Sequence, residues 1–182
     1  VLGLSDQYVL DIDNKSMTHR SDLFSHVGMA QEIAACLPNV VTRLKSPLLK
    51  RMKEAPETIT VTIDDPALCL RYMALELAVD ATKETPAFIV ERLRQCGIKS
   101  INVIVDIGNY VMIEYGQPMH AFDEQKIHNN TLHVRLAKTG ESIELLGKQT
   151  KQLSTETLVI ADDEKVLAVA GVMGGEHSGI TT

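Results

Sequence analysis

Residues Ile101 to Asp123 read INVIVDIGNYVMIEYGQPMHAFD, and the reading of this stretch decides where the rest of the chain goes. Two periods compete in it. Ile101, Val103, Val105 and Ile107 alternate as a strand would, while Ile104, Ile107 and Val111 recur along one helical face. The end of the run arbitrates: Gly116 stands just past the apolar segment and Pro118 follows shortly after, the signature of a helix C-terminus. We therefore expect a helix that delivers His120 directly after a rigid element, on backbone that Pro118 stiffens.

Outward from this stretch, Thr85-Pro86 reads as the cap and first position of a shorter helix. Ile89, Leu93 and Cys96 form its inner face, Gly97 stops it, and Ser100 can cap the segment that follows. A further helix is expected over 22–37, where Leu23, Val27, Ala30, Ala34 and Leu37 recur at helical spacing before Pro38. Arg20 and Asp22 at its entrance read as a structural ion pair with helix capping. Alternation predicts strands at 8–12, 58–63 and 72–79. Between the first two, 39–57 is a connector carrying Lys45, Lys50, Arg51 and Lys53, the composition of a solvated face. Beyond Asp123 the pattern changes to short strands at 132–137, 142–145, 158–161 and 166–169, with Gly140, Gly147 and Asp162-Asp163 as turns. The sum is an α+β fold: mixed or antiparallel sheets with a few packed helices.

Composition excludes several functions. A net charge of −6 over 182 residues argues against an autonomous nucleic-acid binder, DNA included, which needs a basic patch to release counterions. Aromatic residues are only 4% of the chain and tryptophan is absent, so no stacking platform for single strands is indicated. Cys36, Cys69 and Cys96 form no CxxC pair, and they read as small buried hydrophobes in a reducing cytoplasm rather than as a disulfide framework or a metal site. No run approaches membrane-spanning length.

The residues able to carry chemistry are few. His120 leads, because imidazole is the side chain whose ordinary pKa lies nearest neutrality. A lone histidine is nonetheless more often a satisfied structural residue. Asn109 can donate to and accept from a polar substrate, or it is a helix-surface amide. The glycine-rich run GVMGGEHSG at 171–179 lets backbone approach a ligand without Cβ interference. Gly174 and Gly175 within it read either as a bare pocket wall or as turn glycines at positive φ. Glu176 and His177 read as rim residues, and a zinc pair of His120 and His177 fails for want of further ligands. There is no GxSxG, P-loop or GxGxxG motif.

Three stretches together carry a resemblance: NVIVDIGNYVMIEYGQPMHAFD at 102–123, GGEHSG at 174–179, and DIDNKSMTHRSDLFSHVGMAQEIA at 11–34. They resemble the editing domain, called B3/B4, of the β subunit of bacterial-type phenylalanyl-tRNA synthetases. The resemblance implies one B3/B4-like editing domain over 1–182, cut short at its C-terminal end, because the family's glutamate that reads a phenolic hydroxyl lies downstream of GGEHSG. It implies hydrolysis of the ester of tyrosine mischarged on tRNA(Phe), with His120 at the position of the editing histidine. Asn109, Gly174 and Gly175 would contact the substrate. No cofactor is implied for this domain. ATP and magnesium would serve the full cytoplasmic enzyme, a heterotetramer whose α subunit performs aminoacylation. The α subunit and tRNA(Phe) would be partners, and no membrane or DNA is involved. Two departures stand out. Met17-Thr18-His19-Arg20 replaces the family's Thr-Pro-Asn-Arg turn, and Gly108 replaces the threonine of its Thr-Asn pair. The loss of that hydroxyl leaves open a second reading, a non-catalytic domain supporting the heterotetramer. A stand-alone module binding an amino acid or small aromatic is a third.

Overall fold

The computed structural model describes residues 8–41 and 58–180. Those residues fall into two compact units, 8–41 with 81–119 and 58–80 with 120–180. The lysine-rich connector lies, beyond Val41, outside the described residues.

The first unit is helical. A 3-10 turn at Ser21–Phe24 leads into α1 (His26–Cys36), followed later in the chain by α2 (Ala87–Gln95) and α3 (Val103–Tyr115). The expected helix over 22–37 is thus divided at Ser25. Its hydroxyl donates to the Asp22 carbonyl at 2.7 Å and accepts from the Gly28 N–H at 2.9 Å, so a local side-chain bond caps α1 and interrupts the run. Leu23 and Ala34 are buried as the period required, whereas Ala30 and Leu37 are exposed. Arg20 and Asp22 form the expected ion pair at 2.8 Å, with Glu32 a second partner of Arg20 at 3.2 Å.

The helical reading of the organising stretch holds. Asn102 caps α3 by accepting from Ile104 N–H and Val105 N–H at 3.1 and 3.0 Å, and Gly116 ends the helix with φ 76°. Two expected caps are corrected. The Thr85 and Ser100 hydroxyls do not cap helices; each donates at 2.6 Å to the carboxylate of Asp106, which also accepts from Ile101 N–H at 2.8 Å. A charged acceptor outcompetes a neutral backbone cap for these hydroxyls. Gly97 ends α2 as predicted, with φ 75° and an Ile98 N–H bond back to the Leu93 carbonyl.

The second unit is built on a five-stranded mixed sheet. Its strands are β1 (Thr60–Ile63), β2 (Thr131–Leu136), β5 (Leu158–Ala161), β6 (Val166–Val169) and β7 (Met173–Gly174), in that spatial order, while β3 (Ser142–Leu145) and β4 (Gln149–Gln152) form a separate hairpin. β1 and β2 pair in parallel, with Thr60 opposite Thr131, and the other neighbours are antiparallel. Ile127, Leu132, Ile160, Leu167 and Ala168 form a buried cluster, against which Ile59, Val61, Tyr72 and Phe122 pack. The architecture is α+β, as expected.

The strands expected at 8–12 and 72–79 do not form. Alternation is present in both, but a ladder needs a partner strand, and the apolar residues stay exposed, Met73 at 74%. β4 was not anticipated because its residues, Gln-Thr-Lys-Gln, are wholly polar and exposed. Cys36 and Cys96 are exposed rather than buried: each stands at a helix C-terminus, and all three cysteines are free.

Candidate functional site

His120 opens the second unit, and the residues after it are laced to the end of the glycine-rich run. Phe122 bridges Gly179 in antiparallel fashion, Asp123 N–H donates to the Ser178 carbonyl at 3.1 Å, and Lys126 Nζ donates to the Gly179 carbonyl at 2.6 Å. The start of the same run is held by the sheet, where β7 pairs with β6 so that Gly174 stands opposite Ala168. With both segments fixed, the imidazole of His120 lies directly on Gly174. A Cβ on Gly174 would sit 2.3 Å from Cε1 and 2.7 Å from Nε2, inside any permissible contact. The Phe122 ring closes a second side edge-on, with centroids 4.6 Å apart and planes at 73°.

This packing sets the electrostatics. Burial of the ring pushes the His120 pKa below its ordinary value, so the imidazole is neutral at pH 7. The residue as a whole is nevertheless exposed to solvent, so the desolvation acts on the packed edge of the ring. Neither ring nitrogen has a hydrogen-bond partner among the described residues. Three other histidines contrast with it: His128 pairs with Glu164 at 3.1 Å, His133 with Asp163 at 2.8 Å, and His177 with Glu144 at 3.0 Å. Those rings are committed to carboxylates. His120 is held by packing instead.

His120 and Gly174 are thus brought together. Gly175 is turned differently: a Cβ there would lie 2.7 Å from the Leu167 carbonyl and 3.3 Å from Ile143 Cδ1, and its N–H already donates to Leu167 O. Its missing side chain serves packing within the second unit. Of the glycine-run residues, Gly171 has positive φ, at 69°, and Gly174 does not, so close approach is what demands glycine at 174. Asn109 is half-buried on α3, in the first unit, and a Cβ at its neighbour Gly108 would meet open space. Glu176 N–H donates to the Glu144 carbonyl at 2.8 Å.

A shallow depression in the first unit, lined by His26, Arg92, Leu93, Tyr110 and Ile113, is partly closed by the bond from Arg92 to the Tyr110 hydroxyl. It lies in the unit that does not contain His120. Among the described residues no group of three His, Cys, Asp or Glu side chains is placed to hold a metal ion, and no helix is long and apolar enough to cross a membrane. Sequence reasoning missed Phe122, although its two-residue offset from His120 in extended backbone, which returns a side chain to the same face, was the available signal. It also missed Asp106, a buried carboxylate with nothing local to mark it.

The family model described as the B3/4 domain matches residues 68–182. Among relatives, the phenylalanine–tRNA ligase beta subunit of Pseudomonas putida is 46% identical over 90% of this chain. That of Vibrio cholerae is 43% identical over 100%, and that of Pseudomonas syringae pv. tomato 43% over 99%. The chain spans about a fifth of the length of these relatives. With the organising stretch and the glycine-rich run both inside the matched region, the chain belongs to the B3/4 domain family found in phenylalanine–tRNA ligase beta subunits.

Proposed function

We propose that this domain edits: it hydrolyses the ester that joins tyrosine to the 3′ end of tRNA(Phe), as part of a phenylalanyl-tRNA synthetase. The observation that carries the reading is His120, a neutral imidazole fixed by Phe122 and Gly174 with both nitrogens uncommitted. Such a group can accept a hydrogen bond from a water molecule and orient it toward an ester carbonyl. The water oxygen bonds to the carbonyl carbon, the bond from that carbon to the ribose oxygen breaks, and the ribose oxygen leaves with a proton. Free tyrosine and uncharged tRNA result. The ester is already activated, so positioning supplies much of the rate.

The chemistry of discrimination supports a second site. A hydrophobic synthetic pocket rejects an added hydroxyl only about a hundredfold, whereas a site that hydrogen-bonds the hydroxyl rejects its absence far more strongly. ATP and magnesium belong in this reading to aminoacylation by the α subunit. The described residues here do not fit a metal site, and no step of the hydrolysis runs through one. The partners are the α subunit and tRNA(Phe), in the cytoplasm.

Gly108, with open space where a polar side chain would fit, favours the second reading, a domain that supports the heterotetramer without editing. Replacement of His120 by alanine in the complete synthetase separates the two. Editing predicts slower release of tyrosine from tyrosyl-tRNA(Phe) with phenylalanine charging unchanged. Loss of both activities together would make His120 structural.

A further inference from the structure

We infer that Gly174 and Phe122 are positioning residues that form a seat for the His120 imidazole, and that glycine is required at 174 for the ring of His120 rather than for the substrate. The inference rests on the editing reading for its kinetic consequence but not for its geometry. The Cε1–Nε2 edge of the ring occupies the volume where a residue-174 side chain would begin, with Nδ1 farther away at 3.4 Å from the same point. A substrate ring and the imidazole cannot share that volume. What a ligand meets at this wall is therefore the imidazole itself. Phe122 supplies the other constraint. Its ring packs against the buried apolar cluster of the second unit, its backbone is bridged to Gly179, and its plane meets that of the imidazole at 73°. A ring with no hydrogen bond to fix its rotation depends on such contacts for its orientation. The seat therefore links the segment after Pro118 to both ends of the region 174–179.

The clash at Gly174 also says how a variant would respond. The atoms met by a new Cβ are the far end of a side chain that is open to solvent, not backbone, so the imidazole can swing away while the strand pairing of Gly174 with Ala168 survives. Gly174→Ala should fold normally and misplace the ring. A displacement of about 1 Å in a reacting group can cost on the order of a hundredfold in rate.

The test uses Gly174→Ala, Phe122→Leu and the conservative Phe122→Tyr, with two readouts. The first is NMR of the His120 ring in the 182-residue chain, which needs no assumption about activity. In Gly174→Ala and Phe122→Leu the ring protons should lose the ring-current shift imposed by Phe122 and the titration midpoint should rise toward the ordinary value, while Phe122→Tyr keeps both. The second is single-turnover hydrolysis of tyrosyl-tRNA(Phe) by the complete synthetase. The rate constant should fall about tenfold or more in the first two variants, with half-saturation changed about twofold or less, and Phe122→Tyr should retain the parent rate. Unchanged ring shifts and midpoint in folded Gly174→Ala would overturn the seat. Altered ring signals with unchanged hydrolysis would overturn its positioning role. Hydrolysis by the parent synthetase at the spontaneous rate would instead sink the editing reading while the NMR result on the seat stands, and undiminished hydrolysis in His120→Ala would overturn the kinetic role given to the seated ring.

Discussion

At the scale of single residues, the two most informative groups are His120 and Asp106, and both lose stabilising power as pH falls, for different reasons. Burial lowers the His120 pKa, so unfolding exposes a ring that binds a proton more readily than the folded one does. Its contribution to stability is therefore complete above the ordinary value near pH 6.5 and is lost as pH falls from there to the depressed folded value. Thermal melts of the parent should show a steeper decline as pH falls below about 6.5 than melts of His120→Asn; parallel profiles would contradict the shift. Asp106 is wholly buried, and burial alone would push its carboxyl up. The bonds from Ser100, Thr85 and the Ile101 amide outweigh that and hold it below the usual carboxylate range. Its contribution is present above about pH 4 and is lost as pH falls through the lowered value. Asp106→Asn exchanges charge-assisted bonds for neutral ones and should cost about 2–3 kcal/mol. That loss should appear as a fall in the thermal midpoint of about 2–4 °C per kcal/mol.

At the scale of elements, the sequence was legible where one signal had no rival. Ser142–Leu145, Leu158–Ala161 and Val166–Val169 stand where alternation placed them, and Gly97 and Gly116 stop α2 and α3 as their left-handed conformations allow. It misled where a local preference needed a partner that sequence cannot name. Residues 72–79 alternate as cleanly as β1 does, yet β1 has β2 beside it and 72–79 has no ladder. Ser100 and Thr85 looked like caps until a buried aspartate claimed their protons. The candidate site followed the same rule. The arrival of His120 after a helix stop was readable from Gly116 and Pro118, but its contact with Gly174 depends on strand pairing between β6 and β7, which lies in tertiary structure. Glycines within helices offer a paired test. A Cβ at Gly108 meets nothing within 4 Å, so Gly108→Ala should stabilise the chain by about 0.5–1 kcal/mol through helix propensity. A Cβ at Gly28 would lie 1.9 Å from the Asp22 carbonyl oxygen, so Gly28→Ala should destabilise by about 1–3 kcal/mol or more. Equal midpoints for the two variants in thermal unfolding would contradict this account of α1 and α3.

At the scale of the whole molecule, charge and function have to be reconciled. An acidic chain with few aromatics can act on an RNA-borne ester if the rest of the synthetase supplies the phosphate contacts, which suits a chain spanning about a fifth of its relatives. The 182-residue chain should accordingly bind tRNA weakly and with a shallow dependence on salt, because few phosphates are neutralised. Tight binding that falls steeply with added salt in a fluorescence titration would refute that division of labour. The central claim, that the domain edits rather than only supports an assembly, is tested most directly by the unmodified synthetase. Tyrosyl-tRNA(Phe) and phenylalanyl-tRNA(Phe) are each incubated with it without ATP, and release of the free amino acid is followed. The account predicts that tyrosine is released far faster than phenylalanine and far faster than in the absence of enzyme. Release of tyrosine at the spontaneous rate would contradict it.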